Sequence, residues 1–80
     1  MGIHIPLDGL EPGCSGTIRM VIRGPSYRRM LDMGLTPGTP LKVVRRAPFG
    51  DPIEILIRGF HLALRKEEAS RVVVEPTEGS

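Results

Sequence analysis

Five stretches of this chain place apolar residues at every second position, the spacing that turns one face of a β-strand inward. In 16–22, Ile18, Met20 and Ile22 alternate with Thr17, Arg19 and Val21. In 41–46, Leu41 and Val43 share a face. The clearest strand is 52–58, where Ile53, Ile55 and Ile57 alternate with Glu54, Leu56 and Arg58. In 60–65, Phe60, Leu62 and Leu64 alternate with His61, Ala63 and Arg65, and in 71–75 Val72 and Val74 point the same way. The expected core is drawn from the first-named set in each stretch.

One stretch has helical spacing instead. Tyr27, Met30 and Leu31 fall at i, i+3 and i+4, which predicts a short helix over 25–33 with Pro25 in its first turn and Gly24 or Ser26 as cap. Gly34 suits the left-handed position that ends a helix, and Leu35 can then fold back on Met30. Turn chemistry accounts for the rest. Leu-x-Pro-Gly occurs twice, at 10–13 and 35–38, each time just before a strand, and Glu11-Pro12-Gly13 suits a type II turn. Gly16 marks a bulge or a close approach of chains. The two prolines of 47–52 and its Gly-Asp pair make a loop, and Arg58-Gly59 is a tight hairpin turn. Lys66-Glu67-Glu68-Ala69 supports a single helical turn. Residues 1–5 carry no pattern, Leu7 and Leu10 plug the start of the core, and 76–80 form a polar tail. The expectation is a mainly β fold with five short strands, one short helix between strands 1 and 2, and a helical turn before strand 5. Closure into a small barrel would remove the exposed edges.

Eighty residues make a single domain with a small core. No apolar run is long enough for a membrane span or a secretory leader, which suggests a cytoplasmic chain. Cys14 is the only cysteine, so no intrachain disulfide forms. The net charge is +2, from 11 basic and 9 acidic residues. The basic residues are uneven: Arg19, Arg23, Arg28 and Arg29 flank the first strand and helix, while Lys42, Arg45 and Arg46 sit on the next strand. Such a face is either a solvated surface or a steering field for an acidic partner or membrane surface.

The residues that carry chemistry are sparse. His4 lies near an end and His61 mid-strand pointing outward, and neither has a local nucleophile or carboxylate to form a catalytic group. Cys14 follows a turn glycine without an activator. There is no Cys-x-x-Cys, no His-x-x-x-His and no acidic loop, and Glu67 and Glu68 point apart, so only an adventitious divalent metal between molecules is expected. No Gly-rich phosphate cradle is present. Nucleic-acid binding by a small barrel needs interleaved aromatics and basic residues. Only Tyr27, Phe49 and Phe60 are aromatic, and Tyr27 and Phe60 take core positions. Phe49, at a loop tip beside Arg45, Arg46 and Asp51, either anchors a protein contact or folds back over the barrel end. No cofactor is expected, and an enzyme is the least favoured class.

The run 29–39, with Leu-Asp-Met-Gly-Leu-x-Pro-Gly at 31–38, followed by Val43-Val44-Arg45-Arg46 and Ala-Pro-x-Gly-Asp-Pro at 47–52, resembles the ferrous iron transport protein A (FeoA) family. The likeness continues through Ile53-Glu54-Ile55, Arg58-Gly59-Phe60 and 62–69 and covers 5–75. Phe49 stands where that family commonly has leucine. The resemblance implies a five-stranded SH3-like barrel over 5–75, with 1–4 and 76–80 as flexible termini. It also implies a small cytoplasmic accessory of the membrane ferrous iron transporter (FeoB), whose cytosolic part is a GTPase, reaching the membrane only through that partner. A dimer is compatible with the fold. The alternative is a metal-responsive or peptide-binding regulatory module, since the family resembles the C-terminal SH3-like domain of iron-dependent repressors. The family offers no catalytic residue. From chemistry and loop position, the candidate contact surface comprises Arg28, Arg29, Arg45, Arg46, Phe49 and Asp51.

Overall fold

The period-two stretches form strands, and a further short strand precedes them. The computed structural model describes residues 2–77. Its strands are β1 (Ile5–Pro6), β2 (Ser15–Val21), β3 (Pro40–Arg46), β4 (Ile53–Ile57), β5 (Phe60–Leu64) and β6 (Val72–Pro76). A 3₁₀ turn covers Leu7–Gly9, α1 covers Tyr27–Asp32 and α2 covers Lys66–Ala69. All pairings are antiparallel, and the six strands form one sheet in the order β1-β6-β2-β3-β4-β5.

Ile18, Val21, Leu41, Val43, Ile53, Ile55, Ile57, Leu64, Val72 and Val74 meet in one buried cluster with Leu7, Leu10, Met30, Leu35 and Ala69. One sheet brings side chains from five strands together only by curling around them. Each fully buried Ile or Leu in that cluster stabilises the fold by about 1.5–3 kcal/mol. Leu7 and Leu10 fill one end of the barrel, as their spacing suggests.

Two bulges set which residues face inward. On β2, Ile18 pairs with Val74 and Met20 with Val73, so Arg19 is the extra residue. Alternation reverses there. Val21 is buried, whereas Met20 and Ile22 are exposed, contrary to the strict pattern. On β3, Val43 pairs with Ile55 and Arg45 with Glu54, leaving Val44 as the extra residue. A straight strand would turn Arg45 inward. The bulge instead sends Arg45 out to Glu54 and brings Arg46 over the barrel end. Gly16 lies outside both bulges and serves a close approach, since a Cβ there would stand 3.0 Å from the Glu75 carbonyl oxygen.

The helix ends as its sequence predicts. Gly34 has φ +99, its N–H donates to the Leu31 carbonyl at 3.0 Å, and the Leu35 N–H donates to the Met30 carbonyl at 3.0 Å. That is the paired bonding of a Schellman cap, and Met30 and Leu35 are both fully buried. The helix is shorter than 25–33, because Gly24–Ser26 form a turn that enters it.

The repeated Leu-x-Pro-Gly segments do the same work twice. Cys14 N–H donates to the Glu11 carbonyl at 3.0 Å, and Thr39 N–H to the Thr36 carbonyl at 3.2 Å. Beyond those turns, Gly13 N–H donates to the Val43 carbonyl and Val43 N–H to the Cys14 carbonyl. Gly38 N–H donates to the Ile18 carbonyl and Ile18 N–H to the Thr39 carbonyl. Each turn therefore bonds to the strand that the other turn introduces.

Three expectations need correction. The strands number six among the described residues, because Ile5 and Pro6 pair with Val74 and Val73; a two-residue strand is too short to show any periodicity. Among the described residues the barrel is not closed by hydrogen bonds, since β1 and β5 are the edges of the sheet. Phe60 is not a core residue: it begins an edge strand with a neighbour on one side only, and it is 69% exposed. Tyr27 does pack against the core, with Arg23 above its ring at 5.0 Å. β6 runs to Pro76, and Thr77 N–H donates to the Ser15 carbonyl at 2.8 Å. The expected flexible termini fall in part on residue 1 and residues 78–80, outside the described residues.

Candidate functional site

The loop between β3 and β4 is pinned at its base and bare at its tip. Ala47 N–H donates to the Pro52 carbonyl at 3.0 Å, and Gly50 N–H donates to the Ala47 carbonyl at 2.7 Å. Pro48 and Phe49 take the two central positions of that turn. Gly50, at φ +84, allows the chain to reverse. Asp51 Oδ1 accepts the Lys66 N–H at 3.0 Å, satisfying a donor left open at the start of α2. The Asp51–Pro52 peptide is cis. Phe49 is 98% exposed, so it does not fold back over the barrel end.

The four arginines have different fates. Arg46 Nη2 donates to the carbonyls of Asp8 at 2.7 Å and Leu10 at 2.8 Å, tying the first loop to the barrel end. Its Nε is buried without a partner among the described residues. Arg45 Nε donates to Glu54 Oε1 at 2.7 Å on the outer face, and His61 Nδ1 lies 2.8 Å from Glu54 Oε2. Hydrogen bonds from Arg45 first and His61 second hold the Glu54 carboxyl below the usual carboxylate range. Arg29, on α1, bonds the carboxylate of Glu68 on α2. Glu68 is buried, and its other oxygen accepts the Arg65 N–H at 3.0 Å. Arg28 is exposed, and its side chain has no partner among the described residues.

Two shallow depressions join these groups. One is lined by Arg45, Arg46, Ala47, Pro48, Pro52 and Glu54, the other by Arg29, Arg65 and Glu68, and Pro52 and Ala63 belong to both. The result is a small apolar floor of Pro52 and Ala63 with arginines around it and Phe49 projecting at one end. Arg45, Arg46 and Arg29 thus border one floor, whereas Arg28, Phe49 and Asp51 line neither depression, and Arg46 and Asp51 act as internal braces. Arg65, Ala63 and Glu54 escaped sequence reasoning. The signal for Glu54 was its place opposite an arginine, but the bulge at Val44 hides that pairing from a count by twos.

Several other polar groups pair away from this face. Arg19 Nε donates to Glu75 Oε1 at 2.7 Å, His4 Nε2 lies 3.9 Å from the same oxygen, and the Arg19 bond lowers the Glu75 pKa. Arg58 Nη2 donates to the hydroxyls of Thr36 and Thr39. Among the described residues, no three His, Cys, Asp or Glu side chains converge as metal ligands. No helix among them is long and apolar enough to cross a membrane.

A small curled antiparallel sheet with two short helices has the architecture of an SH3-like fold. The FeoA domain family matches residues 5–76, and the chain belongs to that family. It is 36% identical over 58 residues to an Fe(2+) transport protein A/Fe(2+) transporter FeoB fusion protein of Porphyromonas gingivalis (strain ATCC BAA-308 / W83), covering 72% of this chain but only 7% of that protein. The solved FeoA-like protein of Clostridium acetobutylicum is 32% identical at a TM-score of 0.90, covering 100% of this chain and 94% of that one. The zinc complex of Stenotrophomonas maltophilia FeoA, described as a procaryotic SH3 domain protein, is 28% identical at a TM-score of 0.76, covering 86% and 87%. A manganese-dependent transcriptional repressor, at 19% identity, shares the fold at a TM-score of 0.86 over 96% of this chain and 44% of its own.

Proposed function

We propose that this chain is a non-enzymatic, cytoplasmic accessory module of ferrous iron uptake that binds the membrane iron transporter FeoB and acts on it through contact. The observation that carries this reading is Phe49, a bare aromatic on a loop whose base is fixed by Ala47, Gly50 and Asp51. An exposed aromatic held without flexibility loses little entropy on docking, and such residues act as interface anchors. Arg45 and Arg28 supply steering charge toward an acidic surface. The covalent joining of an FeoA segment to FeoB in the P. gingivalis relative supports the pairing, because a tether of this kind keeps two partners at high local concentration.

Co-purification with full-length transporter tests the surface. Wild-type protein is expected to be recovered with the transporter, and Phe49→Ala combined with Arg28→Glu, whose arginine has no partner among the described residues, is expected to be lost while keeping its thermal unfolding temperature. Equal recovery of both proteins rules out this surface, and no recovery of the wild type rules out the partner.

A further inference from the structure

The two edges of the sheet are built differently. β1 is two residues long and includes Pro6, which has no N–H to offer, a common way of blunting an edge. β5 has no such device. It is five residues long and, among the described residues, pairs only with β4. Arg58 at φ 52 and Gly59 at φ 81 form a two-residue turn closing on Ile57 and Phe60, so that pair is hydrogen-bonded and the ladder alternates from it. Phe60, Leu62 and Leu64 direct their main-chain groups to β4. The N–H and C=O groups of His61 and Ala63 therefore point away from the sheet, and nothing else among the described residues bonds them.

The side chains around these open rungs define what would fit. On the inner face stand Phe60, 69% exposed, and Leu62, half-buried. His61 is on the outer face, and Arg65 and Lys66 follow at the strand exit, exposed and without a side-chain partner among the described residues. We propose that β5 is a strand-addition site for an extended acidic segment of another protein. That segment would bond the main chain of His61 and Ala63, lay an apolar residue against Phe60 and Leu62, and set carboxylates toward Arg65 and Lys66.

A second copy of this chain fits the edge less well. Antiparallel pairing of two β5 strands with His61 opposite Ala63 brings the Arg65 and Lys66 end of each copy beside the Arg58–Gly59 turn of the other. Basic groups gathered at both ends of such a pair oppose association. Ala63, the second open rung, also floors both depressions beside Pro52, so the edge is continuous with the Phe49 loop. The inference goes beyond the transporter reading and does not depend on which protein supplies the segment.

The test is a titration of the isotope-labelled full chain, followed by amide chemical shifts, with a capped heptapeptide alternating Val and Glu. A second arm uses the same peptide N-methylated at alternate residues, which removes its donors toward β5. The largest shift changes are expected at His61 and Ala63, with affinity falling as salt rises. The N-methylated peptide is expected to bind roughly tenfold more weakly, the effect of losing one or two main-chain hydrogen bonds. Ala63→Pro removes an outward N–H that β4 does not use, so it should weaken binding by a similar factor while the shifts of the buried core residues stay in place. Arg65→Glu with Lys66→Glu should weaken the acidic peptide. Shift changes away from β5, equal affinity for both peptides, or no change at millimolar peptide overturn the proposal. Concentration-dependent shifts at His61 and Ala63 without peptide also overturn it and assign the edge to a second copy. None of these outcomes bears on the transporter reading, which is tested by the Phe49 variants.

Discussion

The turn at 35–38 and the loop at 47–52 are made of similar residues and end in opposite ways. Both contain proline and glycine with one large apolar side chain, and both are pinned by main-chain hydrogen bonds. In the first, Leu35 precedes the turn and sits in the helix cap, so the chain reversal drives it into the core, where it is fully buried. In the second, Phe49 occupies a central position of the turn, so the same kind of reversal pushes it out to 98% exposure. Position within the turn, rather than composition, decides whether an apolar residue stabilises the fold or presents a surface.

The largest expected effect falls on the buried side. Leu35→Ala should lower unfolding free energy by about 2–5 kcal/mol, measured by denaturant titration. A loss under about 1 kcal/mol would mean that the site collapses around the gap and the contrast is weaker than drawn. Arg46→Ala should cost about 1.5–3 kcal/mol in the same measurement, because it leaves the Asp8 and Leu10 carbonyls without their charged donor. Phe49→Ala should change stability by no more than about 0.5 kcal/mol. Its effect should appear in transporter affinity instead, at about 2 kcal/mol or roughly thirtyfold, as for an interface anchor. A stability loss at Phe49 like that at Leu35 would erase the distinction. Asp51→Ala should cost about 1 kcal/mol by removing the acceptor at the start of α2.

The smallest effect is on pH dependence. Glu54 and Glu75 titrate below the ordinary glutamate value in the folded state, so the unfolded chain takes up protons first as pH falls. Their stabilisation is complete above the unfolded glutamate pKa and is lost as pH drops through the lowered folded values. Arg45→Gln and Arg19→Gln together should flatten the stability profile in that acid range and leave its neutral-pH shape unchanged.

The sheet face was legible where strands are straight. Ile53, Ile55 and Ile57 are buried as a count by twos requires, and Gly34 ends its helix for the reason its sequence states. Failures cluster at two physical causes. A bulge adds a residue without a sequence mark, which misplaces Met20 and Ile22 and disguises the separate roles of Arg45 and Arg46. An edge position removes burial from a residue whose phase is correct, which is why Phe60 is exposed. Of the candidate surface, Phe49 and its loop were visible in the spacing of Pro48, Gly50 and Pro52. The floor at Ala63 was not, because it arises only when β5 folds back beside that loop.

The reciprocal bonding of the two Leu-x-Pro-Gly turns has a consequence for how the molecule opens. Gly13 and Gly38 are turn residues, whose amides would ordinarily exchange with solvent quickly. Here each donates to the strand that the other turn introduces, so neither turn can loosen alone without breaking a bond that registers β2 against β3. The amides of Gly13, Ile18, Gly38 and Val43 thus belong to one cooperative opening unit. Hydrogen exchange of the Gly13 and Gly38 amides is therefore expected to slow to the rate of the strand amides beside them, although both lie in turns.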